Sequence, residues 1–167
     1  LASTDTLQEG MPIPVVDELE RGLEPYRQHR LVQALQEKGT QIFVTTHSTS
    51  IISASTASAL WYLDFAGAIG PVPAAKIKGH QKRDPETFLA RLSIVAEGVT
   101  EAGFVEALLD RYAGSTWRDE GVHVTDGGGN DTVLELLEAL SSGGLRFAGF
   151  ADVEPANPNP GRWGEGK

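Results

Sequence analysis

The chain contains no cysteine among its 167 residues, so it can form neither a disulfide nor a thiolate zinc site. It has no apolar run approaching the roughly 20 residues that a membrane-spanning helix needs. The first residues, Leu1 to Asp5, lack the basic segment and following apolar segment of a signal peptide. We therefore expect a soluble, cytoplasmic protein with no membrane partner. A start without methionine suggests a piece of a larger protein.

Positive charge is also scarce, with 14 Lys and Arg residues against 23 Asp and Glu residues and a formal net charge of -9. This balance argues against a protein that holds nucleic acid mainly by long-range attraction. Carboxylates concentrated in a metal site would contribute to the deficit. Basic residues do gather between Lys76 and Arg83. We expect a solvated connector there, and contact with a phosphate backbone is the alternative.

A stretch rich in Gly and Pro, Ala66 to Pro73, divides the chain into halves of different texture. Apolar periodicity predicts alternating strands and helices in the first half. They are strand Ile13 to Val16, helix Glu24 to Lys38, strand Ile42 to Val44, a helix from Thr49 to about Ser55, and a third strand at Trp61 to Leu63.

The second half alternates more regularly and predicts an α/β fold. Its elements are strand Leu92 to Ala96, a helix near Thr100 to Tyr112, strand Val122 to Thr125, a helix near Thr132 to Leu140, and strand Leu145 to Ala151. This βαβαβ order predicts a parallel sheet. The expected boundaries are residues 1–66 for the first domain, 67–90 for a linker and 91–167 for the second domain.

Acidic side chains follow two of the predicted strands in the second half. Glu97 and Glu101 bracket the exit of one strand, and Asp152 and Glu154 follow another. The carboxyl ends of parallel strands face one crevice, so acids at two exits can meet there. Such a cluster suits Mg²⁺, which takes oxygen ligands. Taken singly, each acid has a simpler explanation: Glu101 complements its helix N-terminus, and Asp152 starts a turn.

The order of these motifs resembles the Toprim domain of topoisomerases, primases and a group of nucleases. The resemblance rests on Glu97 after the first strand, the turn Gly127 to Asn130 after the second, and Asp152 with Glu154 after the third. It implies that Glu97 and the later acidic pair bind Mg²⁺ for phosphodiester chemistry. Glu154 departs from the family pattern, which more often has Asp at that position.

The first half has a signature of its own. Val15 to Glu18 looks like the end of a Walker B strand, in which Asp17 would orient Mg²⁺ and Glu18 would polarise the water that attacks ATP. His47, after the strand at Ile42 to Val44, looks like the switch histidine that senses the γ-phosphate in ABC-type ATPases. No G-x-x-x-x-G-K-[ST] loop occurs, so we expect ATP hydrolysis only with a further N-terminal ATPase part.

The C-terminal end of an ABC-type ATPase joined to a Toprim domain resembles the overcoming-lysogenization-defect (OLD) family of ATP-linked nucleases. Thr100 and Glu101 strengthen the resemblance, because these nucleases carry an E-G-x-T-E run whose second Glu also serves the metal site. The resemblance implies a metal-dependent DNA endonuclease with two divalent cations, Mg²⁺ or Mn²⁺ and possibly Ca²⁺. It further implies that DNA is the substrate and that the full-length protein forms a homodimer or higher oligomer.

Two other functions stay open at this point. Another Toprim activity, such as strand passage, would need a nucleophilic tyrosine, and none of Tyr26, Tyr62 and Tyr112 is near the acidic motifs in sequence. From a different class, the chain would be a non-catalytic ATPase-derived module for DNA clamping or dimerisation, with a structural metal site or none. Glu154 in place of Asp favours that alternative.

Overall fold

The computed structural model describes residues 13–39, 41–64 and 66–151, which form a mixed α/β structure. The strands are β1 (Val15–Val16), β2 (Phe43–Val44), β3 (Leu60–Leu63), β4 (Ile69–Val72), β5 (Leu92–Ala96), β6 (Val122–Asp126) and β7 (Phe147–Phe150). The helices are α1 (Pro25–Glu37), α2 (Thr49–Ala54), α3 (Ala74–Arg83), α4 (Val99–Tyr112) and α5 (Asn130–Gly143), and a 3₁₀ turn covers Pro85–Phe88. No helix among these described residues is long and apolar enough to cross a membrane.

Strands β1 and β2 pair in parallel, with Val15 opposite Phe43 and Val16 opposite Val44. Helices α1 and α2 cover this pair through a core of Leu19, Val32 and Ile51. The strand and helix positions predicted for this half are confirmed to within two residues at every end. Since the pairing is parallel, the residues after Val16 and after Val44 emerge at the same edge.

The stretch expected to be a linker has regular structure. Strand β4 lies inside the Gly/Pro-rich stretch and pairs antiparallel with β3, and Pro71 stands opposite Trp61. A proline is tolerated here because a two-stranded ribbon consists of edge strands only. The basic residues Lys76 to Arg83, expected to form a solvated connector, belong to helix α3.

Helix α3 is held by one buried face. Ile77, His80 and Gln81 are almost fully buried, at the i, i+3 and i+4 spacing of a single helical stripe. Gln81 Nε2 donates to the carbonyl of Ile52 at 2.7 Å, which ties α3 to the end of α2. The charged residues Lys78, Lys82 and Arg83 are exposed on the other side. The segment with many charged residues is therefore an amphipathic helix.

Strands β5, β6 and β7 form a parallel sheet in the order β6-β5-β7, which confirms the predicted α/β class and the parallel βαβαβ arrangement. One face packs against α3 and α5 through a core that includes Val95, Ile77 and Leu140. The other face packs against α4 through Val105, Trp117 and Val124. Both faces of the central strand β5 are covered, whereas Ala148 and Gly149 of β7 are exposed. Because the strands are parallel, their carboxyl ends lie at one edge of the sheet.

Candidate functional site

The central strand β5 ends at the two acids predicted for metal binding. Glu97 follows Ala96, and its amide donates to the carbonyl of Phe150 in β7 at 3.0 Å. Glu101 lies in the first turn of α4 and folds back over the strand exit: a Cβ built on Gly98 would lie 2.9 Å from its Oε2. Both acids are partly exposed. The structure thus brings them to one edge of the sheet.

The glycine turn predicted after β6 is confirmed, and it packs directly beside Glu97. The amide of Gly129 donates to the carbonyl of Glu97 at 2.8 Å, and the amide of Gly127 donates to the carbonyl of Ala96 at 2.8 Å. Gly128 and Gly129 have φ values of 80° and 110°, in the region that glycine alone enters without strain. The backbone of this turn therefore closes tightly over the end of the central strand.

The second predicted acidic pair, Asp152 and Glu154, lies outside the described residues. The chain is described to Ala151, and Phe150 is paired with Ala96 in the sheet. Within the described part of the chain, no group of three or more His, Cys, Asp and Glu residues stands ready to hold a metal ion. The metal role of all four acids consequently stays a prediction.

Sequence reasoning missed a polar cluster on the neighbouring strand β6. Asp84, just after α3, receives hydrogen bonds from His123 Nε2 at 2.9 Å and from Thr125 Oγ1 at 2.5 Å. His80 Nε2 lies 2.9 Å from Thr87 Oγ1 and 3.3 Å from Thr125 Oγ1. His123 and Thr125 are two residues apart in β6, so their side chains lie on the same face of the sheet, the one that α3 covers. The contact joins the end of a helix to a strand about 40 residues away. A local sequence pattern does not predict a contact over that separation.

The protonation of this cluster follows from its burial and its partners. Burial lowers the pKa of His80 to about 4, so the ring is neutral at pH 7. Burial alone would raise the pKa of Asp84, but the hydrogen bonds from His123 and Thr125 outweigh it and lower that pKa to about 2. Burial disfavours the charged form of His123, yet its hydrogen bond to Asp84 raises the pKa of the ring. Asp84 is thus a hydrogen-bond partner that favours the protonated form of His123, and His80 is an uncharged bridge.

We expect His80 to make the protein sensitive to mild acid. Its folded pKa lies below the unfolded value, so the neutral ring supports folding above about pH 6.5, and that support is lost as the pH falls toward 4. The loss amounts to about 3 kcal/mol at pH 4. In thermal melts followed by the fluorescence of buried Trp117, the wild-type advantage over His80→Gln should shrink by roughly 5 to 10 °C between pH 7 and 4.

The comparison with His80→Gln removes the contribution of the carboxylates that titrate in the same range. The charged neighbours of His80 are Arg83, Asp84, His123 and Asp126, and all four are retained in the variant. If the two proteins melt a constant interval apart across this pH range, the imidazole does not titrate as its burial requires.

In the first half, the structure brings Asp17 and Glu18 to the same edge as the loop that carries His47. Thr45 Oγ1 donates to Asp17 Oδ1 at 2.5 Å and accepts from the amide of Glu18 at 2.9 Å. Glu18 has a φ of 48°, rare for a residue with a side chain, and it pairs with Arg21 at 2.6 Å. The juxtaposition follows from parallel pairing of β1 and β2.

Glu20 is the residue in this loop that sequence reasoning overlooked. Its two carboxylate oxygens accept from the hydroxyl of Thr46 and from the amide of His47, each at 2.7 Å. Burial would raise the pKa of Glu20, but these two bonds lower it. Glu20 therefore fixes the backbone on which the exposed His47 is presented. The only signal in the sequence was a third acid just past the Asp-Glu pair.

Two known families match separate parts of the chain. Residues 4–53 match the family described as "AAA domain, putative AbiEii toxin, Type IV TA system". Residues 88–153 match the family described as "Overcoming lysogenization defect protein-like, TOPRIM domain". The first part of the chain is thus similar to an ATPase fragment, and the second part is similar to an OLD-like Toprim domain. The combination is consistent with an OLD-family protein, in which an ATPase is joined to a Toprim domain. No curated protein matches the chain.

Toprim domains generally bind divalent metals, and the acids described here fit such an ion in their donor chemistry. Glu97 and Glu101 both offer carboxylate oxygens, the ligands that Mg²⁺ prefers. They lie at a solvent-accessible edge, and the backbone between them is a glycine that leaves room for Glu101 to fold over it. A metal-dependent, nucleic-acid-processing activity is what the OLD-like Toprim match supports for this domain.

Proposed function

We propose that this chain is the nuclease part of an ATP-linked OLD-type enzyme that nicks or cleaves DNA. The observation that carries the proposal is the position of Glu97. It ends the central strand of the sheet, is bonded through its backbone to β7 and to the glycine turn, and has Glu101 folded beside it. An acid so placed stands between the exits of both neighbouring strands, where a phosphodiester can approach from solvent.

In this proposal the four acids share one site. Glu97 and Glu101 hold divalent cations from the side of β5, and Asp152 and Glu154, which follow Ala151, hold them from the side of β7. Two such cations supply an activated water and stabilise the leaving oxygen of an in-line displacement. The protein's part is to fix the carboxylates, and the hydrogen bonds from Glu97 and Gly129 do this by locking the backbone of the strand exit.

The first half belongs to the same proposal as the nucleotide-sensing end of the enzyme. Asp17 and Glu18 would act on Mg²⁺ and water at the γ-phosphate of ATP, and His47 would contact that phosphate. Their support is the shared edge of β1 and β2 and the Glu20 carboxylate that holds the His47 backbone. Residues 1–66 and 91–167 are proposed as the two functional domains, with β4, α3 and the 3₁₀ turn in the segment 67–90 between them.

The test is nicking of supercoiled plasmid by the intact protein with Mg²⁺, Mn²⁺ or Ca²⁺. We expect conversion to open-circular or linear DNA with at least one of these ions. We expect none in EDTA, because EDTA removes the cations that would activate the attacking water and stabilise the leaving oxygen. Asp152→Asn should remove cutting by at least about a hundred-fold while leaving the melting temperature within a few degrees. Plasmid that stays supercoiled with every ion would refute the nuclease. One bound ion affecting only thermal stability would support a non-catalytic clamping or dimerisation module.

A further inference from the structure

Arg83, the last residue of α3, is held at the carboxyl edge of β6. Its Nη2 donates to the carbonyl of Asp126 at 2.6 Å. A Cβ built on Gly128 would lie 3.2 Å from its Nη1, so the guanidinium lies against the glycine turn. On the other side of the same turn, the amide of Gly129 donates to the carbonyl of Glu97. Arg83 and the first metal-binding acid thus flank one short loop.

The orientation of Arg83 is fixed from below by the polar cluster around Asp84. Nη2 also lies 3.2 Å from His80 Nδ1. A guanidinium has no acceptor, so Nδ1 of His80 must be the acceptor and its proton must lie on Nε2, facing Thr87 and Thr125. Asp84, the next residue, is bonded to His123 and Thr125 on β6. These contacts fix the direction of the side chain before any ligand arrives.

The charge of Arg83 has no carboxylate partner within the described part of the chain. Among the described residues, no carboxylate oxygen lies within ion-pair distance of this guanidinium. The residue is exposed, although one of its nitrogens is engaged. A basic residue near a helix C-terminus complements the helix dipole, which explains a charge in the last turn of α3. The dipole does not explain why the side chain reaches across to the exit of β6.

We infer that Arg83 contacts a backbone phosphate of the DNA and positions the strand against the carboxylate edge. This inference rests on the proposed nuclease function and adds a substrate-binding residue to it. An arginine suits the role because its planar fork can donate to a phosphate while another nitrogen stays on the Asp126 carbonyl. In a protein with a net charge of -9, a cation at this edge also offsets the repulsion between DNA and the acids.

The experiment measures binding of the intact protein to a fluorescein-labelled duplex in EDTA, by anisotropy, at several NaCl concentrations. Arg83→Gln should weaken binding several-fold and make the plot of log K against log salt less steep by about 0.9, the loss of one phosphate contact. Arg83→Lys should restore most of the slope, because it keeps the charge, although it cannot reproduce the fork. A purely structural role would not produce rescue of a salt slope.

Arg91→Gln is the matched control. Arg91 is also exposed but precedes β5, at the opposite edge of the same sheet, where its amide donates to Gly121. It should leave affinity and slope unchanged. If Arg83→Gln behaves like Arg91→Gln, Arg83 does not bind phosphate, whatever the plasmid assay shows. If the wild-type protein binds with an Arg83-dependent slope yet cuts no DNA, the nuclease proposal fails and the phosphate contact stands. A wild-type protein that does not bind the duplex overturns the inference.

Discussion

Replacing Glu97 by Gln should reduce metal-dependent DNA cutting by at least about a hundred-fold. The substitution keeps the size of the side chain and the backbone bonds to Phe150 and Gly129, and it removes one negative charge at the exit of the central strand. An amide binds a divalent cation far less strongly than a carboxylate does, because it offers one neutral oxygen. The substitution should therefore reduce both the rate of DNA cutting and the affinity for the metal ion.

Metal affinity is measured separately from cutting, with a control variant that removes the same charge elsewhere. Titration with Mn²⁺, followed by the paramagnetic signal of the free ion, should show at least one site weakened by about ten-fold or more in Glu97→Gln. Glu120→Gln removes the same charge before β6, at the far edge of the sheet, and should change neither metal affinity nor cutting. Full nicking activity in Glu97→Gln would exclude a Toprim-type catalytic role for this acid, however well the fold agrees with the family.

The sheet that carries Glu97 was predictable because each of its strands has a local sequence signal. Strand β5 was predicted from Leu92 to Ala96 and has those bounds, since a short apolar run between polar stretches fits a strand covered on both faces. The turn after β6 was equally legible, because three consecutive glycines are rarely found except where the backbone must turn sharply. The metal role of Glu97 came from family resemblance, and the geometry of the site came from parallel pairing.

Strand β4 and helix α3, in the stretch between the two predicted domains, were not predicted because two local rules argue against them. Pro71 argues against a strand, but the rule concerns central strands, and β4 pairs on one side. The charges from Lys76 to Arg83 argue for solvent, while the stripe of Ile77, His80 and Gln81 is buried. Polar residues on a buried face carry little hydrophobic signal. Their burial is decided by partners on β6 and α2, which the sequence around them does not reveal.

The polar cluster itself explains why sequence reasoning could not assign roles to its histidines. His80 and His123 both contact Asp84 or its partners, yet one is neutral and the other has a raised pKa. The difference comes from the hydrogen bond between His123 and the Asp84 carboxylate, a contact between residues 39 positions apart. Neither histidine lies at the carboxylate edge, and their positions support Arg83 instead of a role as general base.

Gly127→Ala is expected to lower the free energy of unfolding by about 3 kcal/mol and to impair cutting with it. A Cβ at this position would lie 2.2 Å from Cγ2 of Val133, 3.0 Å from the carbonyl oxygen of Ala96 and 3.1 Å from Cγ1 of Val95. Val133 is fully buried in α5, so it cannot turn aside without disturbing the core. The strain must therefore pass to the turn, whose amides hold the carbonyls of Ala96 and Glu97.

The same substitution at Gly103, Gly103→Ala, is expected to raise the free energy of unfolding. Gly103 lies inside α4, and a Cβ there would meet nothing within 4 Å, so the change should stabilise the protein by about 0.5 to 1 kcal/mol through helix propensity.

The double variant Gly127→Ala with Val133→Ala tests the mechanism, because it removes the methyl group that the new Cβ would strike. We expect it to be less destabilised than the sum of its single variants, by more than about 0.5 kcal/mol in thermal or urea unfolding. Strict additivity would mean that the packing of Val133 against the turn does not require the glycine, and the tight closure over Glu97 would need another cause.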